Sequence, residues 1–392
     1  MPRGRKREPV HEIHQTFDVS YAYRVVFSRH CFQPGNATLR ELFERAGDRR
    51  HRVLPVLDSG VLQADPDLPE RIRSYFDAHS DRVELISPPL VVRGGEICKT
   101  DPREVEDLYA RVERDRICRQ SFVLAIGGGS MLDAVGYAAA NAHRGIRLIR
   151  MPTTVLAQND AGIGVKNAIN HLGRKNFVGT FAPPFAVVND FAFLATLPPR
   201  DRRSGIAEAV KVALIKDADA FERIHANRSL LAAFVPAALE EMIIGCAELH
   251  LEHIRSSGDP FEFGAARPLD FGHWSAHRLE ELSGGRLRHG EAVAIGIALD
   301  SIYSQRTGMI GADELHRILE TLVELGFDLQ DRALGELDIP VALSEFREHL
   351  GGDLSITLLA GLGQGVEVDS IDPELMQKSV DFLLAGGSRP RG

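Results

Sequence analysis

The chain contains no CxxC pair. Its four cysteines, Cys31, Cys98, Cys118 and Cys246, are scattered along 392 residues. That spacing excludes a disulfide framework or a zinc ribbon and reads as free thiols in a reducing compartment. No apolar run approaches the ~18–20 residues of a membrane span. The basic opening MPRGRKRE is not followed by an apolar core, so it reads as a disordered tail over about the first 15 residues rather than a signal peptide. A cytoplasmic location and no membrane partner are expected. An excess of positive charge is also missing: the formal net charge is −9, which argues against a nucleic-acid partner. Lysine is absent between Lys216 and Lys378. An anion held there must be met by arginine, histidine, backbone groups or lysines reaching over from the first half.

What remains is an ordinary globular composition, 44% hydrophobic and 26% charged. The length favours two domains. In the first half, short β-rich runs (YRVVF, RVLPVLD, RVELIS, FVLAIG, RLIRMP and FAVVND) alternate with amphipathic stretches such as DPREVEDLYARVER. Strand–helix alternation predicts an α/β domain with a parallel, doubly wound sheet. After LATLPPRDRRSG, long helical periodicities take over. The expected division is a Rossmann-like domain over 1–195 and a mostly α-helical domain over 196–392, ending in a disordered AGGSRPRG tail.

Gly127, Gly128 and Gly129 follow an apolar strand and open a helix. Bare N–H groups at a helix N-terminus suit a pyrophosphate, although the same glycines also suit a plain tight turn. Asp133 lies one turn into that helix, Thr153 and Thr154 end the next strand, and Asp58 ends an earlier one, where it would accept from a ribose hydroxyl. Together they predict a dinucleotide site. The polar stretch 157–179 reads as a long loop between two strands. Either it is a solvated connection, or Asp160, Lys166, Lys175 and Asn176 converge on a polyhydroxylated, phosphorylated ligand.

Glu208 and Lys211 are three apart on an otherwise apolar helix. They form either a buried ion pair or a metal ligand beside a substrate-binding lysine. His273, His277 and His289 fall within seventeen residues, the first two on one helix face. Imidazoles plus a carboxylate make a site for Zn²⁺ that leaves coordination positions open. The spacing is not HExxH, which excludes a zincin protease. His250 and His253 read as part of a solvated acidic face. A metal and a nicotinamide in one chain point to alcohol–carbonyl interconversion.

GGGSMLD, PTTVLAQNDAGIGVKNAIN, KNFVG, GIAEAVK, DFGHWSAH and RHGEAVAIG stand in this order over about residues 50–310. In this the chain resembles the dehydroquinate synthase-like sugar phosphate cyclases. The resemblance implies a homodimer with NAD and Zn²⁺ (Co²⁺ as an alternative ion) in the cleft between the two domains. Glu208, His273 and His289 would be the metal ligands. NAD would be held by Asp58, Glu96, Lys99, Gly127, Gly128, Gly129, Asp133, Thr153, Thr154, Lys175 and Thr196. Asp160, Lys166, Asn176 and Lys211 would meet the sugar phosphate, Arg144 would reach a phosphate across the dimer interface, and His277 would move a proton. The implied chemistry is oxidation of a hydroxyl, β-elimination of phosphate, return of the hydride and intramolecular aldol closure.

The chain departs from dehydroquinate synthases proper in AARPLDFGH, where Asp270 replaces an expected asparagine, and in its missing helical-domain lysines. An aspartate would repel a substrate carboxylate, so a neutral sugar end is expected, with Arg267 and Asp270 at the substrate. RPxDFGH and DAGIGVK look more like the sedoheptulose 7-phosphate cyclases, such as 2-epi-5-epi-valiolone synthase, yet His277 is kept where many of those enzymes carry proline. A 3-dehydroquinate synthase and a metal-dependent polyol dehydrogenase are the alternatives.

Overall fold

The computed structural model describes residues 11–261, 268–349 and 354–387. Residues 1–10, Arg267 and 388–392, on which three of the expectations above fall, lie outside the described residues. Residues 11–23 carry no regular secondary structure.

The first half supplies β1 (Arg24–Ser28), β2 (His51–Asp58), β3 (Val83–Leu85), β4 (Leu90–Val92), β5 (Phe122–Gly127), β6 (Arg147–Pro152), β7 (Lys166–His171), β8 (Arg174–Phe181) and β9 (Ala186–Asp190). Its helices are α1 (Thr38–Arg45), α2 (Ser59–Ala64), α3 (Leu68–Ala78), α4 (Ile97–Thr100), α5 (Pro102–Arg114) and α6 (Gly129–Asn141). Among the described residues, seven strands form one sheet in the order β1-β9-β6-β5-β2-β3, with β4 also paired to β2. All of its pairings are parallel. This is the α/β, Rossmann-like architecture expected. β5 is buried along its whole length because apolar layers cover both faces of the sheet.

β2 and β5 are neighbours from which the chain winds in opposite directions. The crevice beyond their C-terminal ends is therefore the switch point at which open α/β sheets bind ligands. Asp58 ends β2 and Gly127 ends β5. A Cβ on Gly127 would stand 2.9 Å from the Asp58 Cβ, so a side chain there would close the crevice.

The second half is α7 (Pro199–Lys216), α8 (Ala218–Ala226), α9 (Arg228–Ala232), α10 (Pro236–Ser256), α11 (His273–Leu282), α12 (His289–Arg306), α13 (Ala312–Glu324), α14 (Ile339–His349) and α15 (Pro373–Leu384). It also carries a hairpin, β10 (Ile356–Gly361) with β11 (Gln364–Val368), which the helical periodicities do not predict. α7 and α12 are buried nearly all round and form the middle of this core. No helix among the described residues is long and apolar enough to cross a membrane.

The stretch 157–179 is not a loop. Residues 157–161 make one wide helical turn, and β7 and β8 pair as an antiparallel hairpin. Its two-residue turn, Leu172–Gly173, has positive φ at both positions, 50° and 75°, the geometry that matches the twist of tight hairpins. The polar residues along both strands hide the alternation that would announce them.

Candidate metal and dinucleotide site

Three helices of the second half converge on Glu208. Its side chain is wholly buried in α7, and its Oε2 lies 2.5 Å from Lys211 Nζ. His273, the first residue of α11, brings Nε2 to 3.5 Å from Glu208 Oε1, and His289, the first residue of α12, brings Nε2 to 3.3 Å. Ligand atoms of Glu208, His273 and His289 all lie within 4.8 Å of one another.

The carboxylate–imidazole spacings exceed those of good hydrogen bonds. They are the separations expected of donors arranged tetrahedrally about one ion at ~2.0–2.1 Å, which stand about 3.3–3.4 Å apart. The His273 Nδ1–H donates to the Phe271 carbonyl at 3.1 Å, which leaves Nε2 as the free lone pair. A borderline-soft divalent ion fits this N/N/O set.

Close helix packing makes the convergence feasible. Gly272 precedes α11 with φ +75°, and a Cβ there would meet Ile297 N at 2.7 Å. At Gly290, in the first turn of α12, a Cβ would lie 1.9 Å from the Ser204 carbonyl. The buried Asp300 of α12 accepts from Gly272 N at 2.9 Å and Trp274 Nε1 at 2.8 Å, and so fixes the start of α11.

The third imidazole belongs to the cluster without facing Glu208. The His277 ring lies 5.4 Å from that of His273 and 6.2 Å from that of His289. Burial, together with the neighbouring His273 and His289, lowers His277 to about 3, so it stands neutral. For Lys211, burial opposes the charge, but Glu208 and Asp160 outweigh it and hold the ammonium above its ordinary range. Burial likewise opposes ionisation of Asp270, yet His273, Lys166 and Lys211 overcome it and lower its pKa. Asp270 thus sits as a carboxylate in the field of His273, Lys166 and Lys211.

Asp160 faces the same cluster from the sheet half. The turn that carries it is pinned by Gln158 Nε2, donating to the Pro152 and Asp190 carbonyls, and by Asn159 Nδ2, donating to the Gly205 carbonyl at 2.8 Å. Arg150, wholly buried in β6, donates to the carbonyls of Gly162, Gly164 and Lys166 and to Asn167 Oδ1. A guanidinium spent on backbone carbonyls shapes the segment; the sequence marks it only as one polar residue in a strand.

His250 corrects the reading of a solvated face. Its side chain is only 12% exposed, and Nδ1 lies 2.8 Å from Asp160 Oδ1. Glu280 was also missed: it stands between His289 Nδ1 at 3.5 Å and Lys175 Nζ at 3.3 Å. Neither has a sequence signal beyond its helix position, because the partners are remote in the chain.

The dinucleotide candidates gather at the sheet's C-terminal edge. Gly128 is the N-cap of α6, with Gly127 before it and Gly129 as the first helical residue. Thr153 N–H donates to the Gly127 carbonyl, and Thr154 Oγ1 accepts from Ala157 N. Asp58 caps α2 by accepting from Gly60 N at 2.7 Å. Lys99 Nζ donates to Asp133 Oδ2 at 2.7 Å and to Asn176 Oδ1. Burial pushes Asp133 up, and Lys99 draws it part of the way back. Glu96 accepts from Ser130 Oγ and Asn170 Nδ2, and the Thr196 hydroxyl donates to the Phe193 carbonyl. Asn176 thus meets Lys99 within this group.

Arg144 is not brought to the site. It is exposed just beyond the far end of the thirteen-residue α6, about 20 Å along that helix from the glycines.

A switch-point crevice facing a buried carboxylate–imidazole cluster defines a class of two-part enzymes that place a dinucleotide against a metal. The sequence narrows this further, matching the models described as 3-dehydroquinate synthase N-terminal over residues 89–204 and 3-dehydroquinate synthase C-terminal over residues 205–353. The chain belongs to the 3-dehydroquinate synthase family of sugar phosphate cyclases. It is 33% identical over 363 residues to a 2-epi-valiolone synthase of Actinosynnema mirum, covering 87% of this chain and 94% of that protein. To a 3-dehydroquinate synthase of Dichelobacter nodosus it is 38% identical over 258 residues, covering 64% and 69%. The 2-epi-5-epi-valiolone synthase of Streptomyces hygroscopicus subsp. jinggangensis 5008, solved with NAD+ and Zn²⁺ bound, superposes with a TM-score of 0.84 at 27% identity, covering 95% of this chain and all of that one. Within the family the chain lies nearer the valiolone synthase branch than dehydroquinate synthase proper.

Proposed function

We propose that the protein is an NAD- and Zn²⁺-dependent cyclase that converts a neutral seven-carbon sugar phosphate of the sedoheptulose 7-phosphate type into a carbocycle with loss of phosphate. NAD is a catalytic cofactor in this reading and the enzyme a phosphorus–oxygen lyase. Residues 1–195 are taken as the dinucleotide domain and 196–392 as the metal and substrate domain. Two copies form a homodimer in which Arg144 serves the neighbouring site; its exposed position away from its own crevice supports this.

Glu208, His273 and His289 would hold the metal, and the β2–β5 crevice the dinucleotide. When bound, the two supply a Lewis acid for vicinal hydroxyls and a reversible hydride acceptor. Lys211, kept protonated between Glu208 and Asp160, donates to a substrate oxygen and does not act as a base. Asp160, gripped by His250, accepts from a hydroxyl. The neutral His277 is placed to take up and return a proton. Lys166 is exposed at the start of β7 and near enough to Asp270 to lower its pKa, where a cation suits the phosphate.

The observation that carries the substrate class is Asp270. A carboxylate here accepts hydroxyls but repels a substrate carboxylate by about 4 kcal/mol for charges 4 Å apart at an intermediate dielectric. The test is phosphate release by purified protein with NAD+ and Zn²⁺, given sedoheptulose 7-phosphate or the acidic seven-carbon substrate of dehydroquinate synthases. Turnover of the neutral sugar phosphate is expected. Turnover of the acid alone makes the protein a 3-dehydroquinate synthase, and net NADH formation from a simple polyol makes it a dehydrogenase. Asp270→Asn should move the kcat/KM ratio towards the acid by about 10–100-fold, the equivalent of ~1.4–2.8 kcal/mol.

A further inference from the structure

One carboxylate touches both halves of the molecule. Glu280 lies on the last turns of α11 with its side chain 12% exposed, where it bridges the two groups already described. Oε1 faces Nδ1 of His289, whose Nε2 points at Glu208, and Oε2 faces Nζ of Lys175 on β8. The chain of contacts therefore runs from Glu208 through His289 and Glu280 to the β7–β8 hairpin without leaving side chains.

Histidine ligands are normally held by an acceptor on their second nitrogen, which fixes the ring and sharpens the lone pair aimed at the ion. His273 uses a backbone carbonyl for this. A carbonyl answers to nothing else, whereas the Glu280 carboxylate is shared with a lysine from the other half.

We propose that Glu280 is a positioning residue that couples metal binding to dinucleotide binding. Orienting His289 for the ion and docking Lys175, with its hairpin, over the dinucleotide crevice draw on the same side chain. Each event pre-organises the other. By reciprocity, the factor by which NAD+ tightens the metal equals the factor by which the metal tightens NAD+.

The proposal rests on the reading of the cluster as a metal site and the crevice as a dinucleotide site, and the test separates the two. Zn²⁺ affinity is measured by competition with a chromophoric chelator, with and without saturating NAD+, on the wild type and on Glu280→Ala and Lys175→Met. The Co²⁺ absorption spectrum reports the geometry of the site. The wild type should bind Zn²⁺ at least about fivefold more tightly with NAD+ present. Glu280→Ala should weaken Zn²⁺ by about 10–100-fold and remove the NAD+ effect. Lys175→Met, a change at a half-exposed side chain that leaves His289 and Glu280 together, should keep the Zn²⁺ affinity measured without NAD+ and lose the coupling even when NAD+ is raised to saturate the variant, whose own NAD+ affinity is expected to fall.

If the wild type binds both ligands with no mutual effect, or if Glu280→Ala keeps the coupling, the inference about Glu280 is overturned and the functional reading stands. A wild type that binds no metal or no NAD+ overturns both.

Discussion

The crevice at the sheet edge and the proposed metal corner are built on opposite principles. The crevice uses strand ends, glycine backbone and a helix N-terminus, all set by the local run of the chain. Its ion pair between the buried Lys99 and Asp133 is accompanied by a neutral amide. The metal corner draws charged side chains from α7, α11 and α12 into an apolar core and holds them by mutual compensation. A site made from backbone tolerates the loss of one side chain, while a site made from compensating charges does not.

Glu208→Gln should therefore produce the largest effect. It takes from the buried Lys211 its nearest counter-charge and leaves only Asp160 to face it, at a cost of up to about 3–5 kcal/mol, and it should abolish phosphate release. Adding Lys211→Met should recover much of the stability, read by chemical denaturation, and none of the activity. NAD+ affinity, measured without metal in the double variant, should stay near the wild-type value. A large loss there would mean that the two regions are one cooperative site.

Asp300 offers a second way to sharpen the contrast. Burial raises its carboxyl to about 7 from 3.8, against the opposing bonds from Trp274 and Gly272. The folded state thus keeps a proton that the unfolded chain releases between about pH 4 and 7. With the folded pKa raised, this group's contribution to stability falls as pH climbs through that window, by at most ~1.4 kcal/mol per pH unit. Asp300→Asn should flatten that slope in denaturation curves taken from pH 4 to 8. A slope unchanged in the variant would assign it elsewhere.

The crevice should respond more mildly. Asp58→Ala removes one charged acceptor and the cap of α2, so NAD+ affinity should fall about tenfold, ~1.5 kcal/mol, with Zn²⁺ affinity unaltered in titrations without NAD+.

The same contrast explains what could be read from the sequence. The alternating strands, the triple glycine and the ends of β2, β5 and β6 declare themselves because strand period and turn chemistry are local. The histidine spacing was visible too, since His273 and His277 share one helix face. The roles of Arg150, His250 and Glu280 were not visible, because each depends on a partner far away: carbonyls of 162–166, Asp160 and Lys175 respectively. The β7–β8 hairpin was missed for a different reason: its exposed polar strands carry no apolar alternation, and its turn begins with leucine.

His250 sits on the seam between the two regions, and its removal should have the smallest effect. It comes from α10 of the helical half and grips Asp160 of the sheet half, while Lys211 faces the same carboxylate from α7. Losing one of two partners to a charged acceptor is worth about 1.5–3 kcal/mol at the upper end, and Lys211 remains to share the load. His250→Ala should therefore lower kcat/KM by about tenfold or less, mainly through kcat if Asp160 must be aimed in the transition state. An asparagine places its amide nitrogen near the position of Nδ1, so His250→Asn should restore most of the loss. Equal damage from alanine and asparagine, with melting temperatures lowered alike, would reduce His250 to packing at the seam.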